Sequence, residues 1–436
     1  MNLRLIFSLL LSTYMACSLS SCISEDPDSP RPEDLFVRYY GGAGTETTVD
    51  LDYLSSSDEY VLLSNSTSND NLDDPTGLND IYIVKTSDNG SIVDETFIDF
   101  REGTNLSDDI ASCMRIFNDT IVVVGTVQIR ESDLGIFSDK AAYYALLDTD
   151  LNIISADTIA VSGSDVEGND ITRTSDGNYV ILMTVGDALS GQRDMMFKKV
   201  TPESEEVWIR TSELPGDDVG VSIIELENTD LAIAARTDRV SVRGFSGANV
   251  LYLTLNSLGF ISNSLSYGTT RTSTNNIDDV PARMVKDGDG AIIVGSSSAN
   301  DRVVPFILPL TSSAAVDSIR TVTIQGQNAG ARFSDITRAT NGDLLLTGRF
   351  LNYTNTAEEN GFGQGNKGPE ILFLRTDQLG STNISVSHYG DSFDDSGNAI
   401  FQLPDGKVLI GATISFGGAN TKIGLFKVNG QGELTK

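Results

Sequence analysis

The stretch NDITRTSDGNYVILMTV, residues 169–185, has a turn at Asp176-Gly177 and, directly after Asn178, the apolar run Tyr179–Met183. An Asp-Gly turn next to such a run is typical of a β-hairpin, because Gly supplies the positive φ that tight hairpins need. Related motifs occur six more times, as SDEYVLL, NDTIVVVG, NTDLAIAA, DGDGAIIVG, NGDLLLTG and DGKVLIGA. The aligned apolar residues are Tyr60, Ile121, Tyr179, Leu231, Ile292, Leu344 and Val408. Their regular spacing indicates repeated units rather than several unrelated domains.

Each unit has the pattern of four short strands, and almost nothing in it has helical periodicity. Seven such antiparallel units predict an all-β fold, a seven-bladed β-propeller, in which the ring of blades leaves few open edges. The last unit stops after its third strand, whereas LFVRYYGG (35–42) has the pattern of a fourth strand. We therefore predict that the N-terminal strand completes the last blade, so that residues 35–436 form one domain. Blade 5 departs most from the repeat pattern, since Pro305 and Pro309 are unfavourable in a central strand.

Residues 169–185 and SDITRATNGDLLLTGRF (334–350) resemble the repeat of bacterial propellers with the pattern D-x-x-x-x-I-x-x-T-x-D-G-G-Y-x-I-x-G-x-T. The resemblance concerns the fold. Such repeats serve many functions, so it implies no particular activity.

The first residues predict the cellular location of the protein. Residues 1–21 have the basic start and short apolar run of a secretory signal peptide. The segment Leu19-Ser20-Ser21-Cys22 resembles the lipobox of bacterial lipoproteins, which implies a lipid anchor on Cys22. The acids of residues 23–28 resemble the export signal of Bacteroidota-type surface lipoproteins, which implies an outer-membrane, cell-surface location. The alternative is the periplasmic leaflet. The composition of residues 22–34 predicts a flexible acidic tether.

The charge of the chain excludes some partners. The net charge is −31, with 61 acidic against 30 basic residues. Nucleic acid is therefore not an expected partner. Cys113 is the only cysteine after Cys22, so no disulfide is expected within the mature chain.

The sequence identifies no catalytic residue. The single histidine, His388, and the single tryptophan, Trp208, lie in predicted fourth strands and are interpreted as packing residues. Metal sites built on His and Cys are excluded by these counts. The Gly-rich GFGQGNKG (361–368) lacks the strand-to-helix context of a phosphate loop.

An acid recurs just before or within the predicted first strand of six units. These candidate metal ligands are Asp109, Asp170, Asp218, Asp279, Asp335 and Asp395. First strands line the channel of a propeller, so we expect the six to ring one mouth of it. One interpretation is turn chemistry, with each Asp accepting hydrogen bonds where the chain crosses between blades. The other is a carboxylate ring that binds Ca²⁺ or a basic group.

The predicted long loops suggest a working face. Residues 66–79, 128–139 and 351–369 connect second to third strands, on the same face as the crossings that carry the acids. Long loops on a rigid scaffold commonly carry binding. Phe350, Tyr353 and Phe362 are the aromatic residues that we expect to contact a ligand there.

Together these features predict a lipid-anchored, non-enzymatic binding or scaffold module with a protein or glycan partner. The alternative is a carboxylate-dependent polysaccharide lyase or glycoside hydrolase, since such catalysis can use acids alone.

Overall fold

The computed structural model describes residues 34–68, 78–100, 106–130, 138–187, 191–239, 247–269, 277–298, 303–311, 319–324, 330–351, 368–390, 393–417 and 420–434. These residues form seven four-stranded antiparallel sheets, the blades of a seven-bladed β-propeller, which confirms the predicted fold. Residues Leu35–Lys436 form one compact unit. The predicted signal peptide (1–21), Cys22 and the tether up to residue 33 lie outside the described residues. No described residue belongs to a helix long and apolar enough to span a bilayer.

Each blade runs from a first strand near the axis to a fourth strand at the rim. The first strands of blades 1 to 7 are β2 (Glu46–Leu54), β6 (Leu106–Phe117), β10 (Ser164–Arg173), β14 (Asp218–Glu225), β18 (Asp279–Asp287), β22 (Gly330–Arg338) and β26 (Ser396–Gln402). The second strands are β3 (Glu59–Ser66), β7 (Thr120–Arg130), β11 (Tyr179–Asp187), β15 (Leu231–Thr237), β19 (Gly290–Ser297), β23 (Leu344–Leu351) and β27 (Val408–Ser415). The third strands are β4 (Asp80–Thr86), β8 (Ala141–Leu147), β12 (Arg193–Val200), β16 (Asn249–Leu255), β20 (Val304–Leu310), β24 (Glu370–Thr376) and β28 (Thr421–Val428). The fourth strands are β5 (Ile92–Ile98), β9 (Ile153–Ile159), β13 (Glu206–Thr211), β17 (Ile261–Tyr267), β21 (Arg320–Thr321), β25 (Asn383–Tyr389) and β1 (Phe36–Tyr40).

The core lies between the blades. The described residues form seven apolar clusters, and each joins two neighbouring blades. Between blades 1 and 2, for example, Leu63 and Ile83 pack with Val123 and Tyr143. Second and third strands are covered on both faces, and this explains why they read as continuous apolar runs rather than alternating ones.

The N-terminal strand closes the ring as predicted. Strand β1 pairs antiparallel with β28, with Phe36 opposite Lys427. Next to this pairing, the fully buried side chain of Glu46 accepts a hydrogen bond from Gly42 N at 3.1 Å. It also forms an ion pair with Lys422 at 3.1 Å. The start and the end of the domain are therefore joined by a sheet ladder and by a buried carboxylate.

Blade 5 shows how two prolines fit a central strand. Both Pro305 and Pro309 lie within β20, which pairs with β19 along its whole length. The carbonyl of Pro305 accepts a bond from Val322 N on the outer side, so the missing N–H groups of both prolines face the fourth strand. That fourth strand, β21, is only Arg320–Thr321. The prolines thus shorten the outer strand instead of disrupting the central one.

The antiparallel order defines two faces. Fourth-to-first and second-to-third connections lie on one face, which we call the long-loop face. First-to-second and third-to-fourth turns lie on the other, the tight-turn face. Most of the three long loops lies outside the described residues, and their ends are described.

Candidate functional site

All seven first strands contain a β-bulge at an equivalent place. We call the residue at which strand pairing resumes after the bulge the post-bulge position. From blade 1 to blade 7, the post-bulge residues are Asp50, Cys113, Asp170, Ser222, Arg283, Asp335 and Ala399. The bulge also presses the first strand against the second. A Cβ at Gly125 or Gly348 would lie 1.9–2.0 Å from the carbonyl oxygen of Ile110 or Arg332, so only glycine fits there.

The six predicted aspartates lie at two levels of these strands. Asp170 and Asp335 occupy the post-bulge position, and Asp50 is their counterpart in blade 1. We call these three residues the lower tier. The other acids lie four residues earlier, toward the long-loop face, and form the upper tier: Glu46, Asp109, Asp218, Asp279 and Asp395. The prediction of a single ring of six acids is therefore wrong, because the bulge separates two structurally different positions.

The upper tier is buried, and two of its acids hold the chain where it crosses between blades. Asp279 accepts hydrogen bonds from the N–H and hydroxyl of Thr269, at 2.7 and 2.6 Å. Asp109 accepts one from Phe100 N at 2.9 Å. These contacts match the turn-chemistry interpretation of the acids, whereas Asp395 accepts from Ser415 N, in the second strand of its own blade, at 2.9 Å.

The upper tier also lies beside the ends of the long loops. Asp109 N donates to Asn79 O at 2.8 Å, and Asp395 N donates to Pro369 O at 2.9 Å. Asn79 and Pro369 are the residues at which the second-to-third connections of blades 1 and 6 end. These acids and the long loops therefore share a face, whereas Asp170 and Asp335 lie deeper along the axis.

The lower tier satisfies main-chain groups of the next blade. Asp50 accepts from Met114 N at 3.1 Å, Asp170 from Ile223 N at 2.9 Å, and Asp335 from Ile400 N at 2.8 Å. The donor in each case is the residue after the next blade's post-bulge position. These N–H groups belong to the inner edge of a sheet, where no further strand can pair with them. A carboxylate from the preceding blade takes the place of that strand.

Two arginines form ion pairs with the lower tier. Arg283 of blade 5 lies 2.7 Å from Asp50 of blade 1, 3.3 Å from Asp335 and 3.8 Å from Asp170. Arg115 of blade 2 lies 2.8 Å from Asp50 and 3.2 Å from Asp170. The two guanidinium groups and the three carboxylates therefore link five blades through one ionic network.

A cavity with a mainly apolar wall lies on the tight-turn side of this network. This axial cavity has a volume of about 310 Å³ and is lined by residues of all seven blades. Its lining begins at the lower tier and continues toward the first-to-second turns, where Asp52, Phe117 and Phe401 lie. These three residues are only partly buried. The cavity therefore has a charged floor and a mouth with aromatic rings.

Two carboxyl groups of the axial cavity titrate near neutral pH. Burial raises the pKa of Asp52 to about 6, although it accepts hydrogen bonds from Tyr53 N and Ile116 N. Burial also raises the pKa of Asp335 to about 6, against the effect of Arg283. Asp50 is also buried, but Arg283 and Arg115 lower its pKa overall. The cavity thus contains both a stable carboxylate and groups that can take up protons.

Of the three predicted aromatic contacts, the described residue Phe350 does not line this cavity. Phe350 lies in β23, is 8% exposed, and stacks on His388 with ring centroids 4.1 Å apart. It is a packing residue of blade 6. Tyr353 and Phe362 lie outside the described residues. Trp208 is 8% exposed and belongs to the apolar cluster between blades 3 and 4. This position agrees with its interpretation as a packing residue.

Sequence reasoning missed Asp50, Asp52, Arg115 and Arg283. One signal was present in the spacing. Asp170 and Asp335 lie nine residues before their aligned apolar residues, whereas the other four aspartates lie twelve or thirteen before theirs. Nothing local indicates that Arg283 meets Asp50, because the two residues are distant in sequence and lie on opposite sides of the ring.

Comparison with known proteins supports the fold. No family model matches the chain, and no curated protein matches it. Among solved structures, it is similar to an ulvan lyase of polysaccharide lyase family PL25, with 10% identity and a TM-score of 0.55 over 92% of this chain and 98% of that one. It is also similar to a protein of unknown function from Dyadobacter fermentans, with 12% identity and a TM-score of 0.50 over 90% and 97%. At these identities the likeness defines a class only, the seven-bladed β-propeller.

Proposed function

We propose that the protein is a lipid-anchored glycan-binding propeller that takes a neutral saccharide into its axial cavity from the tight-turn face. The observation that carries this proposal is the composition of the cavity. Aromatic rings at the mouth offer apolar surface to the C–H groups of a sugar ring, and the charged floor offers hydrogen-bond partners to hydroxyl groups. A volume of about 310 Å³ is at the lower end of the range for small-molecule sites.

The charges favour a neutral ligand over a polyanion. The four acids Asp50, Asp52, Asp170 and Asp335 outnumber the three cations Arg115, Arg283 and Lys286 in and around the cavity, and both arginines are already paired with carboxylates. The whole chain carries a net charge of −31. A similar propeller, the PL25 ulvan lyase, has been solved with the acidic saccharide -[GlcA(1-4)Rha3S]-. The surplus of carboxylates here would repel such a chain, so a shared fold does not imply a shared ligand.

A lipid anchor would be joined to the propeller through strand β1. This strand begins at the tight-turn face, since Phe36 pairs with Lys427 at the end of β28. A lipid on Cys22 would tether the propeller to the membrane, at the cell surface or on the periplasmic side. Residues 22–34, when extended, span at most about 45 Å. That length leaves room for a saccharide chain between the membrane and the propeller.

The binding proposal is tested by calorimetry on the full chain in detergent, with neutral and acidic oligosaccharides in parallel. We expect saturable binding of a neutral oligosaccharide. Phe401→Ala, at the cavity mouth, should weaken that binding about tenfold or more. Phe416→Ala is the matched control, because that ring is exposed and packs on Tyr39 instead of lining the cavity. Binding that is unaffected by Phe401→Ala, or confined to acidic chains, would contradict the proposal.

Catalysis is the second candidate, and the pKa values favour it. Asp52 and Asp335 have pKa values of about 6, which suits general acid or base catalysis near neutral pH. The test is mass spectrometry of the incubated oligosaccharides. New reducing ends would indicate a hydrolase, and unsaturated products a lyase. Activity that disappears in Asp52→Asn but persists in Asp58→Asn, a nearby exposed residue, would assign the reaction to the cavity. Unchanged oligosaccharides would leave binding as the function.

A further inference from the structure

Three carboxylates meet where blade 1 passes to blade 2. Asp80 begins the third strand of blade 1, Asp99 follows its fourth strand, and Asp109 lies in the first strand of blade 2. One carboxylate oxygen of each lies within 4.8 Å of those of the other two. Asp80 and Asp109 are buried, whereas Asp99 is exposed, so solvent reaches one side of the cluster.

The corresponding places between other blades differ. The residue that begins a third strand lies beside the upper-tier level of the next blade. At that level, a backbone N–H donates to the carbonyl of the residue just before the third strand. Five such pairs are Asp80 with Asp109, Ala141 with Val166, Asn249 with Asp279, Val304 with Ala331, and Glu370 with Asp395. Two pairs are apolar and one joins an amide to an acid. Among the described residues, only the blade 1–blade 2 pair belongs to a group of three converging carboxylates.

Asp109 supplies a second, independent observation. Its side chain is fully buried, and Oδ2 accepts hydrogen bonds from Phe100 N and Ser107 Oγ, both at 2.9 Å. The other oxygen, Oδ1, is buried and has no hydrogen-bond partner among the described residues. A buried carboxylate oxygen without a partner costs about 1–3 kcal/mol or more. It therefore points to a ligand that supplies positive charge or a hydrogen-bond donor.

The three carboxylates lie close enough to repel one another when they are ionised. A cation between the three carboxylates would remove this mutual repulsion and satisfy the orphaned oxygen.

We infer that Asp80, Asp99 and Asp109 bind a divalent cation, and that Ca²⁺ is the one that fits. Hard cations take carboxylate oxygens, and Ca²⁺ accepts them in flexible geometry at about 2.3–2.6 Å. Opposite ligands of such an ion are about 4.6–5.2 Å apart, and the oxygens of the cluster are within 4.8 Å of one another. Mg²⁺ demands a nearly ideal octahedron and fits an irregular cluster less well. The ion would join three strands of two blades and complete its coordination with water on the side of Asp99.

The test measures thermal unfolding of the full chain after removal of metal with EDTA, with and without about 1 mM calcium, a concentration that suits extracellular calcium modules. We expect calcium to raise the melting temperature of the wild type by about 1–3 °C, and magnesium to raise it less. Asp109→Asn should lose the response. Asp279→Asn is the matched control. The counterpart of Asp80 beside this upper-tier acid is Asn249, and among the described residues Asp279 belongs to no group of three carboxylates.

A second variant keeps the test decisive if Asp109→Asn fails to fold. Asp99→Asn changes an exposed residue, so it should fold like the wild type. It should bind calcium at least about tenfold more weakly, as measured by calorimetry. A wild type that does not respond to calcium would overturn the inference. A response of equal size and affinity in wild type, Asp99→Asn and Asp109→Asn would also overturn it, since calcium would then bind elsewhere on this acidic surface.

Discussion

The upper and lower tiers place acidic side chains at two levels of the seven first strands, four residues apart, yet the partners of the two tiers differ. Upper-tier acids such as Asp279 are held by hydrogen-bond donors at a single crossing between blades. Lower-tier acids accept from the next blade and also form ion pairs with Arg283 or Arg115. The upper tier is thus a set of separate local contacts, whereas the lower tier is one network. A defect at one upper-tier site should stay local, and a defect in the network should spread.

The largest effect should come from Arg283→Met. This side chain is close to all three lower-tier carboxylates, and Arg115 remains beside Asp50 and Asp170 only. Asp335 would lose its cation, and a buried charge without a partner costs about 3–5 kcal/mol. Urea unfolding measures this loss. Arg349→Met is the control, because its ion pair with Asp394 is on the surface and should contribute about 1 kcal/mol or less.

A double variant sharpens this prediction. Arg283→Met combined with Asp335→Asn removes the unpaired charge, so it should recover part of the lost stability. A double variant no more stable than the single one would mean that Arg283 acts through packing rather than through charge.

An intermediate effect is expected in the upper tier. Asp395→Ala removes the acceptor of Ser415 N, which costs about 1–3 kcal/mol when the donor stays buried. The loss should add to that of Arg283→Met, since the two sites share no partner. Urea unfolding of both single variants and the double variant measures the coupling. A large coupling energy would show that the tiers are not independent.

The smallest effect should be the response of the axial cavity to pH, because Asp52 is only partly buried and solvent screens its charge. Asp52 has a folded pKa of about 6, above its ordinary value of 3.8. A carboxyl group with a raised folded pKa stabilises the fold below its unfolded pKa, and this contribution is lost as pH rises through about 6. The free energy of unfolding should therefore fall by more between pH 4 and pH 6 in the wild type than in Asp52→Asn. Equal slopes in both proteins would place the pKa of Asp52 near its unfolded value.

Much of the propeller could be predicted from its sequence because its signals are local. A turn followed by an apolar run identifies a second strand, and Tyr179, Leu231, Leu344 and Val408 indeed begin theirs. The closing strand could be predicted for the same reason, since Phe36–Tyr40 has the pattern of the strand that blade 7 lacks. Pro305 and Pro309 gave a misleading signal, because the side of β20 that their missing N–H groups face is decided only by pairing.

The site could be predicted only in part because its geometry is not local. The recurrence of Asp109 and Asp170 is visible in the sequence, but the bulge that places them at different levels is a property of strand pairing. The same holds for Arg283, which meets Asp50 only once the ring has closed.

The pairing of β1 with β28 also sets an order of events in time. Phe36 is among the first residues of the domain to be synthesised, and its partner Lys427 is among the last. Blades 1 to 6 can form before β1 pairs with β28. Until then, both of these strands have unpaired backbone groups. Contacts between such distant segments form slowly, and the waiting chain is exposed to aggregation. Strand β1 has only five residues, and Arg38 is exposed at its centre. Its shortness and its charge limit the risk of aggregation until the last blade is complete.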